Sequence, residues 1–480
     1  MKRKRVKFLS IFIICIISLF LIIDNRIFIF SKIKESSITI LDDEGNIIYE
    51  TKEKIKFQED VLIKDNDVAD SIMTDVISDI KSEFNYSDKE AIAILNSKNL
   101  IINSTINSEI QSKIDEVFNS KEYFAEKNSI LFNQSAIVLM DYDGNVKGVR
   151  GGNNFDTSIN RASRKLLKVG STIKPVSIYS LGIEKDIINF STIVEDIPQN
   201  TIYNGETIVW PRNYNDIYES NVTVTDALKK SKNTVAVTVG SMIGENEIFD
   251  FLSNSLGYST LYKSDIEDDD RQLSALALGY FKEGITLDTL VSSYTMFGNK
   301  GYYNEKKYYE NVIDKNGDIV IENKDIEKKV ISYETASIMN RLLLNNIVDE
   351  DSIIKNMKNE NYEVLGKTGT VSDDNNNIIS NLFVGMTPKY VAGVWIGYDD
   401  SRPMIYGTYK SSTSIWKSVL NEINEDNSKF DLSEDIVELE YCTKSGMLKS
   451  DKCKETKIGY YKKIIYQIYV ILIIKIRRFL

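Results

Sequence analysis

Apolar residues recur along the chain at two spacings, and the switches between them outline its elements. Residues 38–41 and 46–49 are apolar segments around Asp43, Glu44 and Gly45, which predicts a hairpin. Residues 50–130 are polar with a helical rhythm, clearest at Ile106, Ile110, Ile114 and Phe118, four residues apart. Residues 136–140 and 146–149 flank Asp143 and Gly144 and predict a second hairpin. Stretches 170–185 and 223–243 read as helices, and Asn316-Gly317 marks a third hairpin. From Val364 onward the pattern is that of strands (364–369, 381–385, 390–396), closed by a helix near 414–423. Strands at both ends with helices between them predict the α+β class, an antiparallel sheet with a helical subdomain.

The two ends differ from this body. An apolar run over 8–23, extended by 27–30, follows a basic cluster from Lys2 to Lys7, and no small-residue cleavage site follows it. Residues 1–31 are therefore expected to be an uncleaved single-pass membrane anchor. Positive-inside orientation then places the rest outside the cytoplasm, in a protein of the cell membrane. Residues 464–474 are apolar and end in basic residues, too short to span a bilayer, which suggests an interfacial helix. The expected organisation is anchor 1–31, pedestal 32–130, catalytic body 131–425, extension 426–461 and tail 462–480.

Composition narrows the chemistry. The chain has no histidine, which excludes Ser-His-Asp and Cys-His mechanisms and His-ligated zinc. Net charge is -11, with +5 in residues 1–31, +5 in 462–480 and -21 between them. An acidic body does not suit nucleic acid, whose phosphates need clustered Lys and Arg. The basic ends suit an anionic membrane surface instead. Of three cysteines, Cys15 lies in the apolar run, and Cys442 and Cys453 lie close together in a polar segment, either as a small-loop disulfide or as two thiols. No metal or organic cofactor is implied.

Three short motifs carry the candidate chemistry. Ser171-Thr172-Ile173-Lys174 is preceded by Gly170 and followed by Pro175; Ser231-Lys232-Asn233 and Lys367-Thr368-Gly369-Thr370 come later. At i and i+3 of a helix, the Ser171 hydroxyl and Lys174 amine share a face. A serine is a weak nucleophile until a base takes its proton, and a lysine serves only when burial and nearby cations depress its pKa. Lys367 and Lys232 are the candidate cations. The helix start at Gly170 offers free amides to developing negative charge. Single motifs are weak signals: Ser31–Lys34, Ser78–Lys81 and Ser414–Lys417 match the first, and Ser97-Lys98-Asn99 matches the second. The ordered trio is the specific one.

With that trio the chain resembles the transpeptidase domain of class A penicillin-binding proteins over roughly 99–425. Similar stretches include 148–152, Asn160-Arg161-Ala162, Asn213-Tyr214, 277–279, 297–301, 366–370, 383–385 and 394–399. The segment from Cys442 through Ser445-Gly446 to Cys453 resembles one that follows this domain in some members. The resemblance implies the penicillin-recognising acyltransferase fold and peptidoglycan stem peptides ending in D-alanyl-D-alanine as substrate. Ser171 would form the acyl-enzyme with Lys174 as base. Ser231 would pass a proton to the leaving amine, and Asn233 would bind the substrate amide. Gly369 would let the substrate lie alongside as an added strand, with Lys367 and Thr370 meeting its terminal carboxylate and Thr368 also among the substrate-binding residues. The amides of Ser171 and Thr370 would form the oxyanion hole, one such donor contributing about 3 kcal/mol. β-Lactams are implied as covalent inhibitors, and a cell-wall synthesis complex as a partner.

Two departures stand out. Class A members carry a glycosyltransferase domain, for which residues 50–98 are too few, so a monofunctional descendant is expected. The chain has Ser380-Asn381-Leu382-Phe383 where the family shows an Asp-Ala-Trp-Phe-like stretch. Two other readings of the fold compete. A β-lactamase would need a water-positioning Glu-x-x-Leu-Asn element, which is absent between Ser231 and Lys367. The other is a non-catalytic β-lactam sensor or scaffold.

Overall fold

A computed structural model describes residues 38–56, 62–63, 66–120, 122–123, 134–153, 159–203, 206–264, 269–405, 410–423 and 428–463. The predicted anchor at 1–31 and the apolar stretch 464–474 lie outside the described residues. Among the described residues no helix is long and apolar enough to cross a membrane.

The central sheet has five antiparallel strands in the order Leu365–Ser372, Ile378–Met386, Tyr390–Gly397, Gln134–Asp141, Val146–Arg150. The hairpin 134–150 thus inserts beside the last strand rather than the first of the later three. Both faces are covered, which explains why residues 136–140 are apolar without interruption. Ala136, Val138 and Met140 enter one core with Ile173, Val291 and Trp395. Ile137 and Leu139 enter another with Phe383, Val394, Ile114 and Trp416. Trp416, on helix Ser412–Glu422, donates its indole N–H to the Ala392 carbonyl at 3.0 Å and meets Phe383 edge-on at 5.5 Å. This satisfies the one polar atom of a large buried ring.

The pedestal differs from its sequence reading. The predicted rhythm over 106–118 is helix Ser108–Asn119, which packs on Val146–Arg150. Residues 100–104, read as part of a helical stretch, are a strand between Ile38–Leu41 and Tyr309–Asp314. The third hairpin, Tyr309–Asp314 with Ile319–Glu322, therefore leaves the catalytic stretch to complete the pedestal sheet. Helix Asp67–Phe84, capped by Asn66, ties the two parts: Gly151 N donates to Asp67 at 2.9 Å and Asn160 Nδ2 to Asp70 at 2.9 Å.

Stretch 223–243 was predicted as one helix and is two, Val224–Lys229 and Asn233–Ile243. Ser231 between them has φ 56°, a left-handed value that costs a non-glycine residue about 1–3 kcal/mol unless its surroundings impose it. Further along, Arg161 is fully buried and grips Asp399 through Nε at 2.8 Å and Nη2 at 2.5 Å. This pair joins the segment leading to Ser171 to the end of strand Tyr390–Gly397. We expect Asp399→Ala to strand a buried guanidinium and lower stability by about 3–5 kcal/mol, read from urea unfolding; an unchanged midpoint would show the pair to be dispensable.

Candidate active site

Gly170 opens the nucleophile turn with φ 56°, and a Cβ there would lie 2.7 Å from the Thr370 carbonyl oxygen. A larger residue would therefore push the turn off the sheet edge. The predicted helix 170–185 forms, but not as uniform α-helix. Lys174 N bonds back three residues to Ser171 O, and Ser180 N bonds back five to Pro175 O. Pro175 has no N–H to join an α ladder, and a tight first turn stacks residues i and i+3 more directly than an α turn would. Tyr294 fixes this turn from below, its hydroxyl donating to Thr172 O at 2.5 Å.

The structure brings the three motifs together. Lys174 is fully buried, and its Nζ donates to Asn233 Oδ1 at 2.6 Å and to Ser231 O at 2.8 Å, with Ser231 Oγ at 3.5 Å. Lys367 is also buried, and its Nζ donates to Ser231 Oγ at 2.9 Å and to Thr368 O at 3.0 Å. Ser171, Ser231, Asn233 and Thr368 are partly exposed and Thr370 is exposed, so two amines lie under a rim of hydroxyl and amide groups. Burial, and next the Lys367 charge, hold Lys174 well below the usual lysine range. Burial brings Lys367 down to about 7. Ser171 Oγ makes no hydrogen bond among the described residues, which leaves it to whatever occupies the site.

One expectation is corrected, and two further site residues are placed. Lys232 does not face Lys174; its Nζ bonds Asp196 at 2.8 Å, Glu219 at 2.9 Å and Ile217 O at 3.0 Å. Among the described residues Lys367 is the cationic neighbour of Lys174. Gly369 turns the position of its missing side chain toward the nucleophile turn: a Cβ would sit 2.7 Å from Val169 O and 2.9 Å from Thr172 Cγ2. The glycine lets turn and strand touch. Asn233 has its side chain engaged within the protein, its Oδ1 by Lys174 and its Nδ2 by Arg212 O at 2.7 Å.

Asp196 is a residue that sequence reasoning missed. Its carboxylate is fully buried and takes four bonds: Asn213 Nδ2 at 2.5 Å, Thr234 Oγ1 at 2.6 Å, Glu219 N at 2.8 Å and Lys232 Nζ at 2.8 Å. Burial alone would raise its pKa, but these donors outweigh burial and lower it. Asn213 Oδ1 in turn accepts Asn233 N at 2.8 Å. Asp196 thereby holds the residues that follow the strained Ser231, Lys232 and Thr234 directly and Asn233 through Asn213. No local motif marks it, since its partners are dispersed along the chain; Asn213 at least lay in a stretch similar to the family.

Comparison with known proteins identifies the family. The family model of the penicillin binding protein transpeptidase domain matches residues 134–421. Penicillin-binding protein 1A of Clostridium botulinum (strain Langeland) is 35% identical over 363 residues, covering 73% of this chain and 42% of that protein. The Clostridium acetobutylicum protein of the same name is 32% identical over 369 residues, covering 74% and 44%. The chain thus spans less than half the length of these curated relatives. Among solved structures, penicillin-binding protein 1A from Haemophilus influenzae superposes with TM-score 0.63 at 15% identity, covering 88% of this chain and 97% of that one. PonA1 from Mycobacterium tuberculosis in complex with penicillin V gives 0.60 at 17%, covering 76% and 96%. These two likenesses speak to the fold, while the family match spans every one of the three motifs that meet around Ser231. On that basis the chain belongs to the penicillin-binding protein transpeptidase family.

Proposed function

We propose that the chain is a serine D,D-transpeptidase of peptidoglycan, acylated at Ser171 by stem peptides ending in D-alanyl-D-alanine. The observation that carries this reading is the buried Lys174 amine, bonded to Ser231 and Asn233 beside Lys367. A neutral amine has two N–H bonds and one lone pair. Ser231 O and Asn233 Oδ1 take the two hydrogens, which leaves the lone pair for the Ser171 proton. Attack by Ser171 on the D-alanyl carbonyl puts negative charge on its oxygen, which the amides of Ser171 and Thr370 receive at the turn and strand edge. Ser231 Oγ accepts from Lys367, so its own hydrogen is available to the leaving amine. Lys367, Thr368 and Thr370 meet the substrate carboxylate, and an amine acceptor or water then releases the acyl group.

We place this unit in residues 131–425, with 32–130 as its pedestal and 1–31 as the anchor that holds it outside the cytoplasm, on the basic and apolar pattern of that segment. The C-terminal pieces are the extension 426–461 and the tail 462–480. PonA1, a protein of the same fold, is known in complex with penicillin V, which supports β-lactams as ligands of this site.

A fluorescent penicillin is expected to form a stable adduct that is lost in Ser171→Ala and in Lys174→Ala, while both variants remain folded by circular dichroism. Rapid drug turnover would instead indicate a β-lactamase, and no adduct a binding protein.

The pH dependence follows from the two lysines. Acylation needs Lys174 without its proton and Lys367 with it. The rate constant for a carboxylate-bearing penicillin should rise through a limb far below the ordinary lysine range and fall above pH about 7. Lys367→Arg should move the falling limb upward; a flat profile across that range would remove Lys367 from carboxylate binding.

Asp196→Ala frees the Ser231 turn to leave its left-handed conformation, and acylation should slow by about 100-fold, as for a displacement of roughly 1 Å in the reacting geometry. Stopped-flow acylation at wild-type speed would assign Asp196 no positioning role.

A further inference from the structure

The extension beyond the catalytic body is a hairpin, Ile436–Cys442 with Thr456–Lys462, and it carries a feature that the acyl-transfer chemistry does not use. Cys442 ends the first strand and Cys453 lies just before the second, both as free, partly exposed thiols. Cys442 pairs with Thr456 across the hairpin and Thr443 N donates to Glu455 O at 3.2 Å, which sets the segment carrying Cys453 beside Cys442. The loop between them is tightly wound: Gly446 N donates to Cys442 O at 2.8 Å, Cys442 N to Met447 O at 2.8 Å, and Cys453 N to Ser450 O at 3.0 Å. Ser450 N also donates to Cys453 Sγ at 3.2 Å. Chain folding has thus set both thiols in one hydrogen-bonded loop at the end of the hairpin before any bond joins them, the arrangement from which a short-loop disulfide can close.

We propose that Cys442 and Cys453 are a redox pair, oxidised to an intramolecular disulfide by low-molecular-weight organic disulfides. Cys442 loses its proton to solvent, and its thiolate attacks one sulfur of the external disulfide. A mixed disulfide forms at Cys442 and one external thiolate leaves, taking a proton. Cys453 then loses its proton and attacks the Cys442 sulfur, forming the internal S–S bond and releasing the second external thiol. Two protein thiols are oxidised and one external disulfide is reduced to two thiols.

The order of attack has a physical basis. Hydrogen bonds from the Ser445 hydroxyl, then the Ser445 and Lys444 amides, bring the Cys442 thiol down to about 7. The thiolate is the attacking species, so Cys442 is the entry point and Cys453 the resolving partner.

Closure would act on the body through the contact of the loop with Ser191. Gly446 sits against residue 191, where a Cβ would come within 2.3 Å of Ser191 O, and Ser191 Oγ donates to Gly446 O at 2.7 Å. Tyr461 of the return strand donates to the same Ser191 Oγ at 2.8 Å. Strand Ile193–Asp196 follows directly and ends in the carboxylate under the Ser231 turn. A cross-link between 442 and 453 pins the loop that seats this strand.

The test uses the full chain, incubated with glutathione disulfide, quenched with iodoacetamide and mapped by mass spectrometry without reduction. The expected product is a peptide pair joined through Cys442 and Cys453, together with slower tryptic cutting at Lys444 and Lys449. Cys453→Ser should trap the glutathione adduct at Cys442, whereas Cys442→Ser should leave Cys453 largely unmodified. Both thiols recovered in alkylated form, or adducts without an internal bond in the wild type, would overturn the proposal. The readout is independent of acylation at Ser171, so failure of either idea leaves the other standing.

Discussion

Two primary amines removed from water side by side set the conditions for everything else at this site. Transfer of a charged ammonium into a protein interior is costly unless it gives up its proton or finds full compensation. Lys174 and Lys367 are both buried, and no carboxylate bonds to either among the described residues. The cheapest state has at least one of them neutral, and the more deeply held Lys174 is the one that yields. Basicity here is a product of packing. The burial of both side chains, rather than a partner charge, sets their chemistry.

Around that pair the protein spends most of its polar bonds on fixing backbone. Gly170 and Gly369 bring turn and strand into contact, Tyr294 pins Thr172 O, and Asp196 clamps the turn at Ser231. Lys232 belongs to that clamp rather than to the amine cluster. Its charge is neutralised by Asp196 and Glu219, and a motif lysine thereby serves conformation instead of catalysis.

Much of this was legible in the sequence, for physical reasons that can be named. Residues 136–140 and 390–396 are apolar on consecutive positions because both faces of the sheet are covered. Ser171 and Lys174 are three apart because one helical turn must present both. What escaped were features set by partners distant in the chain. Residues 100–104 are a short apolar run in helical surroundings, and only pairing with 38–41 and 309–314 makes them a strand. The break at Ser231 is imposed on a stretch rich in helix-compatible residues by Asp196 and Asn213. Side-chain direction was equally invisible, as Lys232 and Gly369 demonstrate.

The return of Tyr309–Asp314 to the pedestal has a consequence for how the molecule is made. Asn103 bonds Asn311 across 208 positions, so strand Leu100–Ser104 emerges from the ribosome long before its neighbour exists. During that interval an apolar strand has an open edge, a surface on which chains stick to one another. Cutting the polypeptide ahead of residue 131 would not isolate a self-sufficient catalytic unit either. It would leave the 309–322 ribbon with its hydrogen-bonding side bare.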